Sequence, residues 1–168
     1  ILAAAATPAQ EMEFQVGVGI GIGDFAGTFS EFPAYAPVFL GIMGEDISVT
    51  LKFDFGLAYE EMPPAVHADI GFLAINEDFL TFAVNATVGV IRYPRDEWRG
   101  IGDYISIDTA TEEMDPFLAT GVSLSPRFDF PISFRVNLVL GAAYISAVGM
   151  IGPLFGLEYQ FVLGVPLN

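Results

Sequence analysis

Residues 47–59 read Ile-Ser-Val-Thr-Leu-Lys-Phe-Asp-Phe-Gly-Leu-Ala-Tyr. Taken alternately, Ile47, Val49, Leu51, Phe53, Phe55, Leu57 and Tyr59 fall on one side, and Ser48, Thr50, Lys52, Asp54, Gly56 and Ala58 on the other. Side chains of an extended chain point to opposite faces in turn. The stretch is therefore a strand with one continuous apolar face and one small or polar face.

The same alternation recurs on both sides of it. Upstream, Met12, Phe14, Val16, Val18, Ile20 and Ile22 oppose Glu13, Gln15, Gly17, Gly19, Gly21 and Gly23, and Val38, Leu40 and Ile42 mark a shorter strand. Downstream, Val66, Ala68, Ile70 and Phe72 oppose His67, Asp69 and Gly71, and Leu80, Phe82, Val84, Ala86, Val88 and Val90 oppose Thr81, Asn85, Thr87 and Gly89. Leu118, Val122, Leu124, Phe128 and Phe130 form the apolar side of a sixth strand, which Thr120 and Pro126 interrupt. Pro126 cannot donate a ladder hydrogen bond, so a bulge or local break is expected there. Ile132 through Tyr144 and Phe155 through Leu163 supply strands seven and eight by the same rule.

Tight turns at 44–46, 76–78 and 130–132 alternate with longer gaps at 26–35, 60–64, 94–116 and 146–150. Short turns at one end and longer loops at the other are the pattern of an up-and-down barrel. Composition says what surrounds it. The chain of 168 residues is 53% hydrophobic and 16% charged, with a mean hydropathy of +0.54, yet no run of about 18 apolar residues offers a helical span. Strands that cross a bilayer must close on themselves, because lipid leaves no partner for an open edge. The expected fold is all-β: a transmembrane antiparallel up-and-down barrel of about eight strands over residues 11–168, preceded by an Ala-rich extension or signal-peptide remnant at 1–10.

Charge placement sets the barrel's polarity. Lys52, Arg127 and Arg135 lie on the polar faces of their strands, Arg92, Arg95 and Arg99 in or beside the longest loop, and no basic residue sits mid-strand on the apolar face. An Arg or Lys facing lipid near the midplane costs about 2–4 kcal/mol, which explains that distribution. A soluble, lipocalin-like barrel would turn the apolar face inward. Phe, Leu and Val from seven or eight strands would overfill an eight-stranded interior, which only just accommodates side chains.

The pattern resembles the small outer-membrane barrels of Gram-negative bacteria, the group of the OmpA transmembrane domain and OmpX, from Glu11 to Leu163. Near the end, Gly156-Leu157-Glu158-Tyr159-Gln160-Phe161 resembles the glycine and alternating-aromatic signal of a last strand, although the chain continues through Asn168 without a terminal aromatic. The resemblance implies the bacterial cell outer membrane, contact with lipid bilayer and lipopolysaccharide, and a charged core that stops free flow of solutes.

The net charge of −15 opposes nucleic acid, which needs a basic patch. With no Cys and one His, disulfide scaffolds, thiolate sites and multi-His metal sites are excluded, and no cofactor is expected. Glu13, Lys52, Asp54, His67, Asp69, Arg127, Asp129, Arg135 and Glu158 are expected to form a polar network filling the lumen, because buried charges must be paired. The expected role is structural or interactive: anchoring, recognition, or a subunit of an envelope assembly.

Two alternatives remain. One is a narrow ion or small-solute channel gated by exchange of ion pairs. The other is a lipid A or phospholipid-modifying enzyme using His67 with Asp69 and one of Ser48, Ser123, Ser125 or Ser133, although no Gly-x-Ser-x-Gly elbow accompanies them. The loop at 94–116 interleaves Trp98, Tyr104, Ile105 and Ile107 with acids. Apolar residues in such a loop suggest a protein partner or a second copy, through this loop or the barrel wall. Its acids lack the ligand spacing of a calcium loop. Acid excess also suits a saline habitat or a surface that binds divalent cations.

Overall fold

A computed structural model describes residues 12–25, 34–57, 65–94, 114–131, 133–146 and 149–167. The eight strands are β1 Met12–Phe25, β2 Ala34–Met43, β3 Ile47–Gly56, β4 Ala65–Asn76, β5 Leu80–Pro94, β6 Met114–Phe130, β7 Phe134–Ile145 and β8 Met150–Leu167. Each pairs antiparallel with the next, and β8 returns to β1 to close the barrel, from Met12 opposite Leu167 to Phe25 opposite Leu154. Closure removes the sheet edge, so the ladder satisfies its own backbone groups as lipid requires.

Alternation decides which face is which. Ile70, Phe72 and Val122 on the outside are 60%, 59% and 61% exposed, whereas Lys52, Arg135 and Glu158 on the inside are 8%, 6% and 0% exposed. Val84 is exposed, and Phe53 and Leu138 are half-buried on the same outer wall. The soluble-barrel alternative would place these three inside, and it is thereby excluded. An apolar belt of this extent has no stable place in water. An even-stranded closed barrel wearing such a belt is the spanning form of the bacterial outer membrane, and the chain resides there.

The tight turns at one end are braced. Gly44 N donates to Ile47 O at 2.8 Å, and the Asn76 amide reaches across from β4 to Gly44 O at 3.2 Å and Glu45 O at 3.0 Å. Ser133 takes a left-handed φ of 62° and accepts from Val162 N at 2.8 Å, tying the β6–β7 turn to β8. Around this rim runs a chain of rings. Phe79 meets Phe128 at 5.9 Å and Phe130 at 5.7 Å, Phe130 meets Phe134 at 5.7 Å, and Phe134 meets Tyr159 at 6.2 Å. This forms the aromatic girdle of a membrane interface.

Pro126 does interrupt the ladder. It pairs with Phe82 on β5, but on the β7 side pairing stops at Leu124–Leu140 and resumes at Arg127–Asn137 without a change of register. The bulge lies elsewhere, in β4, where Ala74 is extra between Leu73 and Ile75. It lets Leu73 point inward while Phe72 and Ile75 both face out.

Several strands outrun their sequence-based limits. β2 begins at Ala34 rather than near Val38, because Pro37 needs only one of its two ladders: it pairs with Asp54 on β3, and pairing to β1 skips it. β8 runs to Leu167, so the stretch 156–161 lies within the last strand and not at its end. The extension at 1–10 and the loop residues Trp98, Tyr104, Ile105 and Ile107 lie outside the described residues.

Candidate functional site

Inward side chains occupy two storeys. The lower, near the tight turns, gathers Glu13 and Gln15 from β1, Met43 from β2, Thr81 from β5, Arg127 and Asp129 from β6, and Arg135 from β7. Asp129 is its centre: Arg127 Nε donates to one carboxylate oxygen at 2.9 Å and Arg135 Nε to the other at 2.6 Å. Arg135 Nη1 donates to Gln15 Oε1 at 3.2 Å, and Gln15 Nε2 passes the chain to Glu13 Oε2 at 3.1 Å. Arg127 Nη2 reaches Thr81 Oγ1 at 2.8 Å and Met43 Sδ at 3.0 Å.

The upper storey is built on Glu158, fully buried on β8. Its Oε1 accepts from Tyr35 Oη at 2.7 Å and from Lys52 Nζ, and its Oε2 accepts from Asn137 Nδ2 at 3.4 Å and from Gln160 Nε2. Lys52 also lies 3.6 Å from Asp54 Oδ2 and sits over the Tyr35 ring, 5.6 Å from its centroid. His67, the cross-strand neighbour of Lys52, places Nε2 2.9 Å from Asp54 Oδ2 and Nδ1 3.5 Å from Asp69 Oδ2. Thr87 Oγ1 donates to the other oxygen of Asp69. Gln160 is the cross-strand neighbour of Arg135, so the two storeys abut.

These contacts bring together all nine of the charged and ionisable residues that the sequence places in the lumen. Burial leaves each charge little water, so opposite charges and neutral donors take its place. The sequence reading missed the neutral half of the network. Gln15, Thr81, Thr87, Asn137 and Gln160 each lie on the polar face of a strand, and that shared face is the signal that identifies them. Tyr35 carried no such signal, because it read as the end of a loop.

The lumen is also less uniformly polar than its alternation implied. Ala119, Ala143, Ile145 and Leu154 are buried on the inner face of β6–β8 toward the loop end. Leu154 occupies the space that a Cβ on Gly121 would need. Opposite them, the Phe39 ring lies over Gly17, its partner in register, where any larger residue would collide with it. Small residues here create room for large ones facing them.

A cavity of about 150 Å³ remains, running from Gly23 and Ala65 toward Met43 and Leu73. It is lined by the ionic Lys52, Asp54, Glu158 and Arg135 together with the neutral polar Ser48, Thr50, Asn85 and Ser123. Asn85 Nδ2 donates to Ser125 Oγ at 2.7 Å and to Ser123 Oγ at 3.4 Å.

No family model matches the chain, and no curated protein does. Among solved structures it is similar to Ail, the attachment invasion locus protein of Yersinia pestis. The crystal structure of Ail is 12% identical, with a TM-score of 0.42, covering 92% of this chain and 99% of that one. Ail in complex with the heparin analogue sucrose octasulfate gives 12%, 0.44, 92% and 99%. The backbone structure of Ail in a phospholipid bilayer nanodisc gives 12%, 0.41, 92% and 100%.

Proposed function

We propose that this barrel serves the outer membrane as a structural or interaction element, a membrane-anchored scaffold whose partners meet its loops or its wall. The observation that carries this reading is the doubly layered ionic network, in which Asp129 and Glu158 each bind several donors across the lumen. A barrel built to conduct freely has no use for such a plug. With the interior committed, recognition falls to the external loops, with Trp98, Tyr104, Ile105 and Ile107 at 94–116 as the leading surface. A sulfated polyanion such as the one bound by Ail would meet a chain of net charge −15, so a neutral or basic partner suits this surface better.

A lipid-modifying role for His67 has less support. The ring is buried on the lumen side of the wall between Asp54 and Asp69, while acyl chains lie against the other side. Ser123 and Ser125 are engaged by Asn85.

Purification from native membranes in mild detergent tests the main reading. A constant partner, or a defined oligomer, is the expected result. A lone monomer, with no partner captured by cross-linking before extraction, contradicts it. The narrow-channel reading is favoured only by the cavity along the lumen. Recording in planar bilayers decides it: stable conductance steps support a path, and their absence removes it.

A further inference from the structure

Among the described residues, the carboxylates of the upper storey outnumber its cations. Asp54, Asp69 and Glu158 face Lys52 and His67. His67 presents Nε2 to Asp54 Oδ2 at 2.9 Å and Nδ1 to Asp69 Oδ2 at 3.5 Å, and a ring counted as doubly protonated adds one positive charge. Even so, one negative charge is left over among buried side chains of the described residues, where an uncompensated charge is costly. The lower storey does not supply the difference, since Arg127 and Arg135 are balanced by Asp129 and Glu13.

The shortage has an address. Glu158 takes donors on both oxygens, and Asp69 accepts from Thr87 on one oxygen and faces the His67 ring at 3.5 Å with the other. Asp54 Oδ1 is buried without a hydrogen-bond partner among the described residues, on a residue only 7% exposed. Asp54 lines the lumen cavity, whose 150 Å³ is space for about five waters. Water alone would satisfy the oxygen and leave the charge.

We propose that the lumen binds one small monovalent cation at Asp54 Oδ1, its shell completed by water held in the cavity. A divalent ion fits poorly. Calcium takes about six to eight oxygen ligands, several of them carboxylates, whereas Asp54 Oδ2 is occupied by His67. No group of three or more His, Cys, Asp or Glu is arranged to hold a metal ion among the described residues. The site stands whether or not the barrel conducts, because it rests on charge and an unmet acceptor.

Thermal unfolding of the refolded barrel in a zwitterionic detergent tests it, in sodium, potassium, caesium or tetramethylammonium chloride at one ionic strength. Sodium or potassium is expected to raise the Tm by about 3–6 °C over tetramethylammonium, saturating with concentration. Asp54→Asn, which removes the surplus charge, is expected to abolish that difference, while Glu45→Gln and Asp46→Asn on an exposed turn leave it intact. Equal Tm in all four salts overturns the proposal. So does a sodium effect that survives Asp54→Asn, or a larger effect of magnesium that Asp54→Asn does not change. Should Asp54→Asn fail to refold, ²³Na relaxation on the unaltered barrel decides: broadening that saturates at one ion per barrel and is displaced by potassium supports the site, and unsaturating broadening overturns it.

Discussion

Glu158→Ala removes the acceptor on which four donors converge: Tyr35, Lys52, Asn137 and Gln160. The ammonium of Lys52 is then left with Asp54 at 3.6 Å as its remaining carboxylate, and Lys52 itself is only 8% exposed. Removing one partner of a buried ion pair costs about 3–5 kcal/mol; here Lys52 loses its direct contact and keeps only the longer approach to Asp54 Oδ2, an oxygen that His67 already shares. The neutral donors add to this, though not additively, since they share one site. An exposed pair would cost only about 0–1 kcal/mol, so the two cases separate clearly. The assay is urea unfolding of barrels refolded into lipid vesicles, followed by circular dichroism and by the gel shift between folded and heated forms.

A charge-free double variant supplies the control. Lys52→Met combined with Glu158→Leu removes both charges and fills the space with apolar atoms, and such exchanges are often neutral or stabilising. The double variant is expected to recover most of the loss, a coupling energy above about 1 kcal/mol. A loss below about 1 kcal/mol for Glu158→Ala, or a double variant as unstable as the sum of the singles, would refute the reasoning.

Val122→Arg, on the lipid face midway along β6, is expected to cost about 2–4 kcal/mol, and Val165→Arg, near the end of β8, about 0–1 kcal/mol; vesicle unfolding that ranks them equally contradicts the outward orientation. Gly17→Val forces a side chain into the Phe39 ring and is expected to cost about 1–3 kcal/mol by overpacking, part of which Phe39→Ala in the same chain restores in the same measurement. Removing both guanidinium groups, as Arg127→Ala with Arg135→Ala, takes away the donors around Asp129, and planar-bilayer recordings are expected to show conductance steps that the parent barrel lacks. Identical traces from the two would mean that the lower storey does not close the lumen.

Alternation along residues 47–59 was enough to identify a strand and its two faces, because a two-residue period leaves no other reading of so long an apolar series. The same period placed Lys52, His67 and Arg135 inside, where the structure has them. It was less informative wherever a local feature hid the period. Pro37 made the start of β2 look like a loop, and Tyr35, the donor to Glu158, was lost with it. The bulge at Ala74 shifted the pattern by one residue, so β4 read as ending at Phe72. The pairing of storeys was not legible at all: which carboxylate meets which cation depends on register between strands far apart in the chain, such as β3 and β8, and a single sequence does not record it. Apolar inward residues such as Ile145 and Leu154 were equally hidden, since a small lumen needs filling as much as it needs polarity.

The central claim is that apolar side chains face lipid and ionic ones face an enclosed lumen. The chain contains no cysteine, so single cysteines at Ile70, Val84 and Val122 accept a nitroxide label without background. Accessibility of those labels in bilayers to dissolved oxygen, compared with a water-soluble nickel complex, tests the claim most directly. High oxygen and low nickel exposure at all three positions is the predicted result; nickel exposure matching that of a label on Glu45, in the exposed turn, would contradict it.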